Sequence, residues 1–63
     1  MKNIILYVNK GNQEYEVIKC KDLKEGHTKF TEYQNKGNYT YLELGIDKVD
    51  IDGTYTIVRK LTA

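Results

Sequence analysis

Apolar and polar residues alternate along most of this chain, and a period of two is typical of β-strands. The first example is the run Ile4, Leu6 and Val8, whose members are separated by Ile5 and Tyr7. No segment keeps apolar residues at helical spacing for three turns, so we expect no long helix. The pattern predicts strands joined by short turns.

The first predicted hairpin turns at Lys10-Gly11 through a two-residue loop. This register pairs Leu6 with Tyr15 and Ile4 with Val17, so that one face of the pair is apolar. A slip of one residue would bring glutamates onto that face, and burial therefore selects this register. Beyond Val17 the apolar residues move from odd-numbered to even-numbered positions, at Ile18 and Cys20, which indicates a β-bulge.

Alternation in the middle of the chain predicts a second hairpin, with strands over residues 28–33 and 39–44. A three-residue loop over residues 35–37, with Gly37 in the left-handed conformation, gives this hairpin an apolar face. The connector before it has an alternative, a single helical turn over residues 22–25.

The tetrapeptide Asn-Lys-Gly-Asn occurs at residues 9–12 and again at residues 35–38. Each copy lies between alternating segments, as expected of a turn between paired strands. The first copy favours a two-residue loop and the second a three-residue loop. We therefore interpret the repeat as shared turn chemistry and not as an internal duplication.

Asp52-Gly53 is the strongest turn signal, because this dipeptide readily takes the backbone angles of a tight hairpin. It joins residues 46–51 to residues 54–61. The second of these strands is apolar on both faces, which favours a central or barrel-closing position. Three hairpins give five or six strands. We expect one all-β domain over residues 1–63, a small antiparallel barrel or sandwich of the SH3-like or OB-like kind.

Charge and size narrow the classes of function. The chain of 63 residues has ten basic and nine acidic residues and a formal net charge of +1. This balance argues against a DNA mimic and gives no support to a general phosphate binder. A core of this size supplies only about 3–5 kcal/mol net, so a bound partner or a second copy would add stability.

The residue usage suggests a compartment and a source. Cys20 is the single cysteine, which fits a reducing compartment. The apolar run at residues 4–8 is too short for a signal-peptide core, so we expect a cytoplasmic protein that does not associate with membranes. Abundant Lys, Asn, Ile and Tyr without Pro or Trp are typical of an AT-rich genome, which suggests a bacterial or phage origin.

Candidate catalytic groups are few. Cys20 and His27 are the candidate nucleophile and base, and the two lysines beside Cys20 would favour its thiolate. However, the sequence shows no residue to orient His27 and no glycine-rich loop to form an oxyanion hole. We interpret Cys20 as a buried structural residue and His27 as a solvated loop residue. The chain is therefore predicted not to be an enzyme.

A calcium loop at Asp50-Ile51-Asp52-Gly53 is the one metal motif that the sequence invites. Alignment on the glycine places Lys48 at the first ligand position and Arg59 at the last, and cations cannot serve there. We predict no metal and no cofactor.

The tyrosines are the most informative residues for function. The second predicted hairpin brings together a partner-binding face composed of Tyr33, Tyr39, Tyr41, Lys29, Lys36 and Thr31. Tyrosine gives a large amphipathic contact area at low entropic cost, so our first hypothesis is a protein-binding inhibitor or adaptor, with a homodimer as another outcome. The alternative is a stacking platform for single-stranded nucleic acid, which balanced charge disfavours. A third interpretation places this face in the core.

Overall fold

The computed structural model describes residues 3–48 and 53–63. Its elements are β1 (Asn3–Gly11), β2 (Glu14–Cys20), α1 (Leu23–Lys36), β3 (Tyr41–Lys48) and β4 (Thr54–Thr62). The strands form one antiparallel sheet in the spatial order β2-β1-β3-β4. The helix packs on one face of this sheet, mainly against β1 and β3. The all-β prediction is confirmed in its coarse form, since the protein is mostly β, but the expectation of no long helix is wrong, because α1 has 14 residues.

The predicted barrel or sandwich of five or six strands is not confirmed. Within residues 3–48 and 53–63 there are four strands, and the sheet is open, with β2 and β4 as its edges. β4 is therefore an edge strand and neither central nor barrel-closing. No helix in this part of the chain is long and apolar enough to cross a membrane.

The predicted second hairpin is wrong, because its first strand and its loop lie in helix α1. Asp22 caps the helix: its side chain accepts a hydrogen bond from the Glu25 backbone N–H at 2.8 Å. The Glu25 carboxylate in turn accepts one from the Lys21 N–H, also at 2.8 Å. These bonds satisfy backbone donors at the helix start, in the manner of a capping box.

Glycine ends the helix at its other terminus. Gly37 takes a left-handed conformation with φ of 72°, and its N–H donates to the Tyr33 carbonyl at 3.2 Å. The left-handed conformation predicted for Gly37 is confirmed, but as a helix C-cap and not as a hairpin loop. The second copy of the tetrapeptide repeat thus ends a helix, whereas the first lies where β1 meets its turn.

The first hairpin exists, but its register is three residues away from the predicted one. Leu6 lies opposite Ile18 and Ile4 opposite Cys20. The turn residues Asn12 and Gln13 both have positive φ, 53° and 68°. Such angles belong to the mirror-image turns that match the twist of paired strands.

This register exchanges the two faces of β2, because the shift is an odd number of residues. Ile18 and Cys20 lie on the helix side, and Tyr15 and Val17 lie on the other side. The bulge predicted beyond Val17 is wrong, since pairing is regular there. The register instead shifts between Asn9 and Gly11.

The core lies between the helix and one face of the sheet. Its buried members are Ile4, Leu6, Val8, Cys20, Phe30, Leu42 and Leu44. The burial predicted for Cys20 is thereby confirmed. Gly26 allows the helix to approach closely, because a Cβ there would lie 2.7 Å from Leu44 Cδ1. Arg59 of β4 lies over the Phe30 ring at 4.2 Å and covers the core beside the helix.

The third predicted hairpin is confirmed as a pairing of β3 with β4, but not in its register: Lys48 lies opposite Thr54, whereas a two-residue turn at Asp52-Gly53 would place Ile51 there. The sequence predicts separate strands over residues 39–44 and 46–51, but β3 runs through Gly45 without interruption. The register shifts beside Gly45 and leaves Val58 of β4 as an extra residue. Gly53 has a positive φ of 69°. The predicted turn residue Asp52 and the rest of residues 49–52 lie outside the described residues.

The cap of helix α1 gives a test of this fold. We expect Asp22→Ala to lower the free energy of unfolding by about 1 kcal/mol, the usual cost of losing an N-cap acceptor. Asp22→Asn is the matched control and should stay near wild type, since its amide oxygen still accepts the bond. Urea denaturation followed by far-ultraviolet circular dichroism measures both. Equal stability of all three proteins would contradict a capped helix at this position.

Candidate functional site: the open face of the sheet

The face of the sheet opposite the helix, which we call the open face, is covered by no other element among the described residues. Alternation along each strand directs every second side chain to it. Its aromatic and aliphatic members are Tyr7, Tyr15, Tyr41, Tyr55, Ile5, Val17 and Ile57. All four strands contribute.

Large side chains on the open face are well exposed. Tyr15 is 63% exposed, Val17 57%, Ile57 47% and Tyr55 44%. Soluble monomers seldom present a contiguous apolar surface of this kind without a functional reason. The open face is therefore the leading candidate site.

Three tyrosine rings form a row across β2, β1 and β3. The ring centroids of Tyr7 and Tyr15 are 5.8 Å apart at an interplanar angle of 33°. Those of Tyr7 and Tyr41 are 6.4 Å apart at 57°. Both separations lie in the range of favourable aromatic pairs. Tyr7 is thus paired with a ring on each side, one from β2 and one from β3.

Glu43 of β3 organises the middle of the open face. The hydroxyl of Tyr41 donates to Glu43 Oε1 at 2.5 Å, and the hydroxyl of Tyr55 donates to Oε2 at 2.6 Å. Tyr7 lies opposite Glu43 on β1, and Lys60 lies opposite it on β4. Two tyrosines therefore hold one carboxylate within an aromatic surface.

These hydrogen bonds change the acidity of the tyrosines. The bond to Glu43 raises the pKa of the Tyr41 hydroxyl. Burial, together with the bond to Glu43, raises the pKa of Tyr55. In both cases a tyrosinate would lose a favourable bond and would face the negative charge of Glu43.

Gly45 makes the position of Tyr55 possible. The Tyr55 ring lies over Gly45 of β3, where a Cβ atom would overlap its hydroxyl. The missing side chain leaves room for the ring to cross from the edge strand towards Glu43. Gly45 is thus a part of the site.

The six residues of the predicted partner-binding face are not on one surface. Tyr41 is on the open face, whereas Lys29, Thr31, Tyr33 and Lys36 are on helix α1 and Tyr39 follows it. The helix and the sheet are on opposite sides of the core. The predicted grouping is therefore wrong, because residues 28–33 form a helix and not a strand.

Two of those six residues support the core, as the third interpretation supposed. Tyr33 and Tyr39 pack against the buried cluster. The Tyr33 hydroxyl donates to Glu16 Oε2 at 2.9 Å, and Lys36 Nζ lies 5.0 Å from the centre of the Tyr33 ring. The hydrogen bond from the Tyr33 hydroxyl lowers the pKa of the Glu16 carboxyl. Tyr33 therefore ties the helix to β2.

Sequence reasoning did not single out the residues that the open face brings together, above all Tyr7, Tyr15, Tyr55 and Glu43. The even-numbered apolar pair Ile18 and Cys20 is the sequence signal that could have identified them. Taking that pair as the core face of β2 places Tyr15 on the other side. Alternation then groups it with the odd-numbered tyrosines of β1 and β3.

Cys20 is buried in the core, whereas His27 is exposed on helix α1. Burial raises the pKa of the Cys20 thiol, and Cys20 Sγ contacts the Ile18 carbonyl at 3.9 Å. His27 is exposed as predicted, but it lies on helix α1 and not in a loop. Among residues 3–48 and 53–63, no group of three His, Cys, Asp or Glu side chains could hold a metal ion. The segment Asp50-Ile51-Asp52-Gly53, whose sequence does not fit a calcium loop, lies mostly outside this range.

Comparison of the chain with protein-family models, with curated proteins and with solved structures finds no match.

The Glu43 hydrogen bonds predict an alkaline response. The ordinary pKa of tyrosine is 10.0, and Tyr41 and Tyr55 have higher values when folded. Their contribution to stability is present below pH 10 and is lost as the pH rises through the folded values, because the unfolded chain ionises first. In Glu43→Gln the ultraviolet absorbance of tyrosinate should therefore rise at lower pH than in wild type.

Glu14→Gln is the matched control for that titration, since Glu14 is an exposed residue at the start of β2. It should leave the titration curve unchanged. Coinciding curves for wild type and Glu43→Gln would contradict the bonds from Tyr41 and Tyr55.

The burial of Cys20 predicts slow thiol chemistry. At neutral pH, Ellman's reagent should react with the native protein far more slowly than with the urea-unfolded chain, because only the exposed thiolate attacks. The rate of absorbance change measures this difference. Equal rates in the two states would mean an accessible, activated thiol.

Proposed function

We propose that this protein is a small non-enzymatic interaction module that binds a protein partner through the open face. The observation that carries the proposal is the row of mutually packed tyrosines on an uncovered sheet face. Tyrosine is enriched where protein interfaces derive most of their binding energy. A ring that is already held by its neighbours loses little conformational entropy on binding.

The dimensions of the open face suit this role. Four strands about 4.8 Å apart, each about eight residues long at about 3.3 Å per residue, present a plan area on the order of 500 Å². Projecting side chains raise the accessible area above that value. A standard protein interface buries about 800 Å² on each partner. The open face can therefore supply most of one such interface.

The kinds of charge on the open face also suit a protein partner. Glu43 lies near the middle, Asp47 lies further along β3, and Lys19 and Lys60 lie on the two outer strands. Charges of both signs around an aromatic centre give specificity for a complementary protein surface.

Binding of single-stranded nucleic acid is a second candidate, favoured by one observation. Aromatic rings on the open side of a four-stranded sheet are the arrangement on which sheet-based modules stack bases. The placement of Glu43 opposes it, because a phosphate backbone crossing the face would meet a carboxylate near its centre. We therefore rank protein binding first.

The biological role consistent with this chemistry is that of an inhibitor or adaptor in the cytoplasm, of phage or bacterial origin. A small chain whose leading site is a preformed docking surface suits proteins that act by occupying a partner. The residue usage and the single cysteine support this setting.

The test of protein binding uses paired variants in affinity capture from bacterial lysate. In Tyr15→Ser/Val17→Ser both replaced side chains are more than half exposed, so the fold should persist while captured partners fall by about tenfold or more, a loss of about 1.4 kcal/mol. The control His27→Ser/Glu32→Ser changes two exposed residues of helix α1. It should capture what wild type captures. Identical captured proteins for all three would overturn the assignment to the open face.

Fluorescence anisotropy with labelled single-stranded DNA and RNA at two salt concentrations tests the second candidate. We expect no binding at micromolar protein. Micromolar binding that weakens with salt and disappears in Tyr15→Ser/Val17→Ser would replace our proposal with nucleic-acid binding.

A further inference from the structure

We infer that the open face recognises an arginine side chain of its protein partner, and that Glu43 is the residue that binds the guanidinium. This inference rests on the proposed function and names the chemistry of the partner.

The first step is the unused acceptor capacity of Glu43. A carboxylate has about four acceptor positions, two on each oxygen. Tyr41 occupies one position on Oε1 and Tyr55 occupies one on Oε2. One position is left on each oxygen, and a guanidinium donates two parallel N–H bonds to just such a pair of oxygens.

The second step is what docking does to Glu43. A partner that covers the tyrosines also removes water from the carboxylate between them. A desolvated carboxylate whose hydrogen bonds are incompletely replaced is costly. An apolar partner surface would therefore bind poorly at this point, whereas a cationic donor directed at Glu43 would restore the lost bonds.

The third step selects arginine over lysine. Tyr41 and Tyr55 contact Glu43 through their hydroxyls, and Tyr7 lies opposite it on β1. A planar guanidinium can stack on a tyrosine ring and donate hydrogen bonds in its own plane at the same time. An ammonium is more strongly hydrated and lacks this plane.

The fourth step concerns a second copy of this chain, whose open face does not supply the arginine. Arg59 is the only arginine in the sequence. It lies on the helix side of the sheet, 4.2 Å from the centre of the Phe30 ring, and donates to Gln34 Oε1 at 3.4 Å. The open face of another copy therefore presents no arginine, and Arg59 is already engaged with Phe30 and Gln34 on the helix side, so we assign the arginine to a different protein.

Lys60 bears on the same site. It is exposed and lies opposite Glu43 in the β3–β4 ladder. The positive charge of Lys60 repels an incoming guanidinium, and the Lys60 ammonium can compete with it for the Glu43 carboxylate. Removal of this charge should thus strengthen arginine binding, whereas removal of the Glu43 charge should weaken it.

The experiment is a titration of the wild-type protein with N-acetyl-arginine amide, followed in its two-dimensional amide NMR spectrum. We expect saturable shifts at Tyr7, Glu43 and Tyr55. N-acetyl-citrulline amide has nearly the same shape without the charge and should produce no saturable shifts. Equal responses to the two compounds would overturn the inference.

Variants assign the binding to Glu43. Glu43→Gln should weaken binding of N-acetyl-arginine amide by about tenfold, the loss of one charge-assisted pair. The control Glu14→Gln should bind as wild type does, and Lys60→Gln should bind more tightly. The dispersion of each spectrum reports whether the variant is folded, and if Glu43→Gln unfolds, the Lys60→Gln and citrulline results decide. Undiminished binding by folded Glu43→Gln would overturn the assignment.

Failure of this inference is distinguishable from failure of the proposed function. If the arginine compound does not bind but the Tyr15→Ser/Val17→Ser variant loses its captured partner, the open face docks a partner of other chemistry. If capture is unaffected as well, the open face is not the docking surface.

Discussion

Burial of a single sheet face is the constraint on which this structure depends. One helix of 14 residues covers one face of the sheet, where β1 and β3 bring the largest buried side chains together beneath Phe30. Alternation along a strand directs half of its side chains away from that core. With no other element across the sheet in the described part of the chain, those side chains form the open face. The main exposed apolar surface is thus a consequence of how the core is built.

The open face differs from a plain apolar surface because of Glu43. A carboxylate among tyrosines gains two hydroxyl donors, which hold both it and the rings in place. The same bonds make Tyr41 and Tyr55 harder to ionise. Gly45 provides the space that allows Tyr55 to reach Glu43. Polar and aromatic groups are therefore coupled, so a partner must satisfy a charge as well as cover rings.

Helix α1 shows where pattern reasoning failed. Its buried members are only Gly26 and Phe30, and β-formers such as Thr31 and Tyr33 alternate in the same stretch, so hydrophobic periodicity is weak. Its ends carried the better evidence: Asp22 three residues before Glu25, and Gly37 after the last turn. Local capping interactions and a close fit against Leu44 stabilise the helix where periodicity alone does not predict it.

The sequence by itself determined that β1 is a strand with Ile4, Leu6 and Val8 on one face, and that the segments around Gly53 pair. Alternation and turn chemistry are local, and they suffice for those elements. Which face of β2 is buried depended on the tertiary structure, because a register is chosen by the contacts of the whole core and an odd shift exchanges every side chain. The helix and its crossing over the sheet then decided which tyrosines meet. Tyr33 and Tyr39 went to the core side, and Tyr7, Tyr15, Tyr41 and Tyr55 to the open face, since one helix can cover only one side of a sheet.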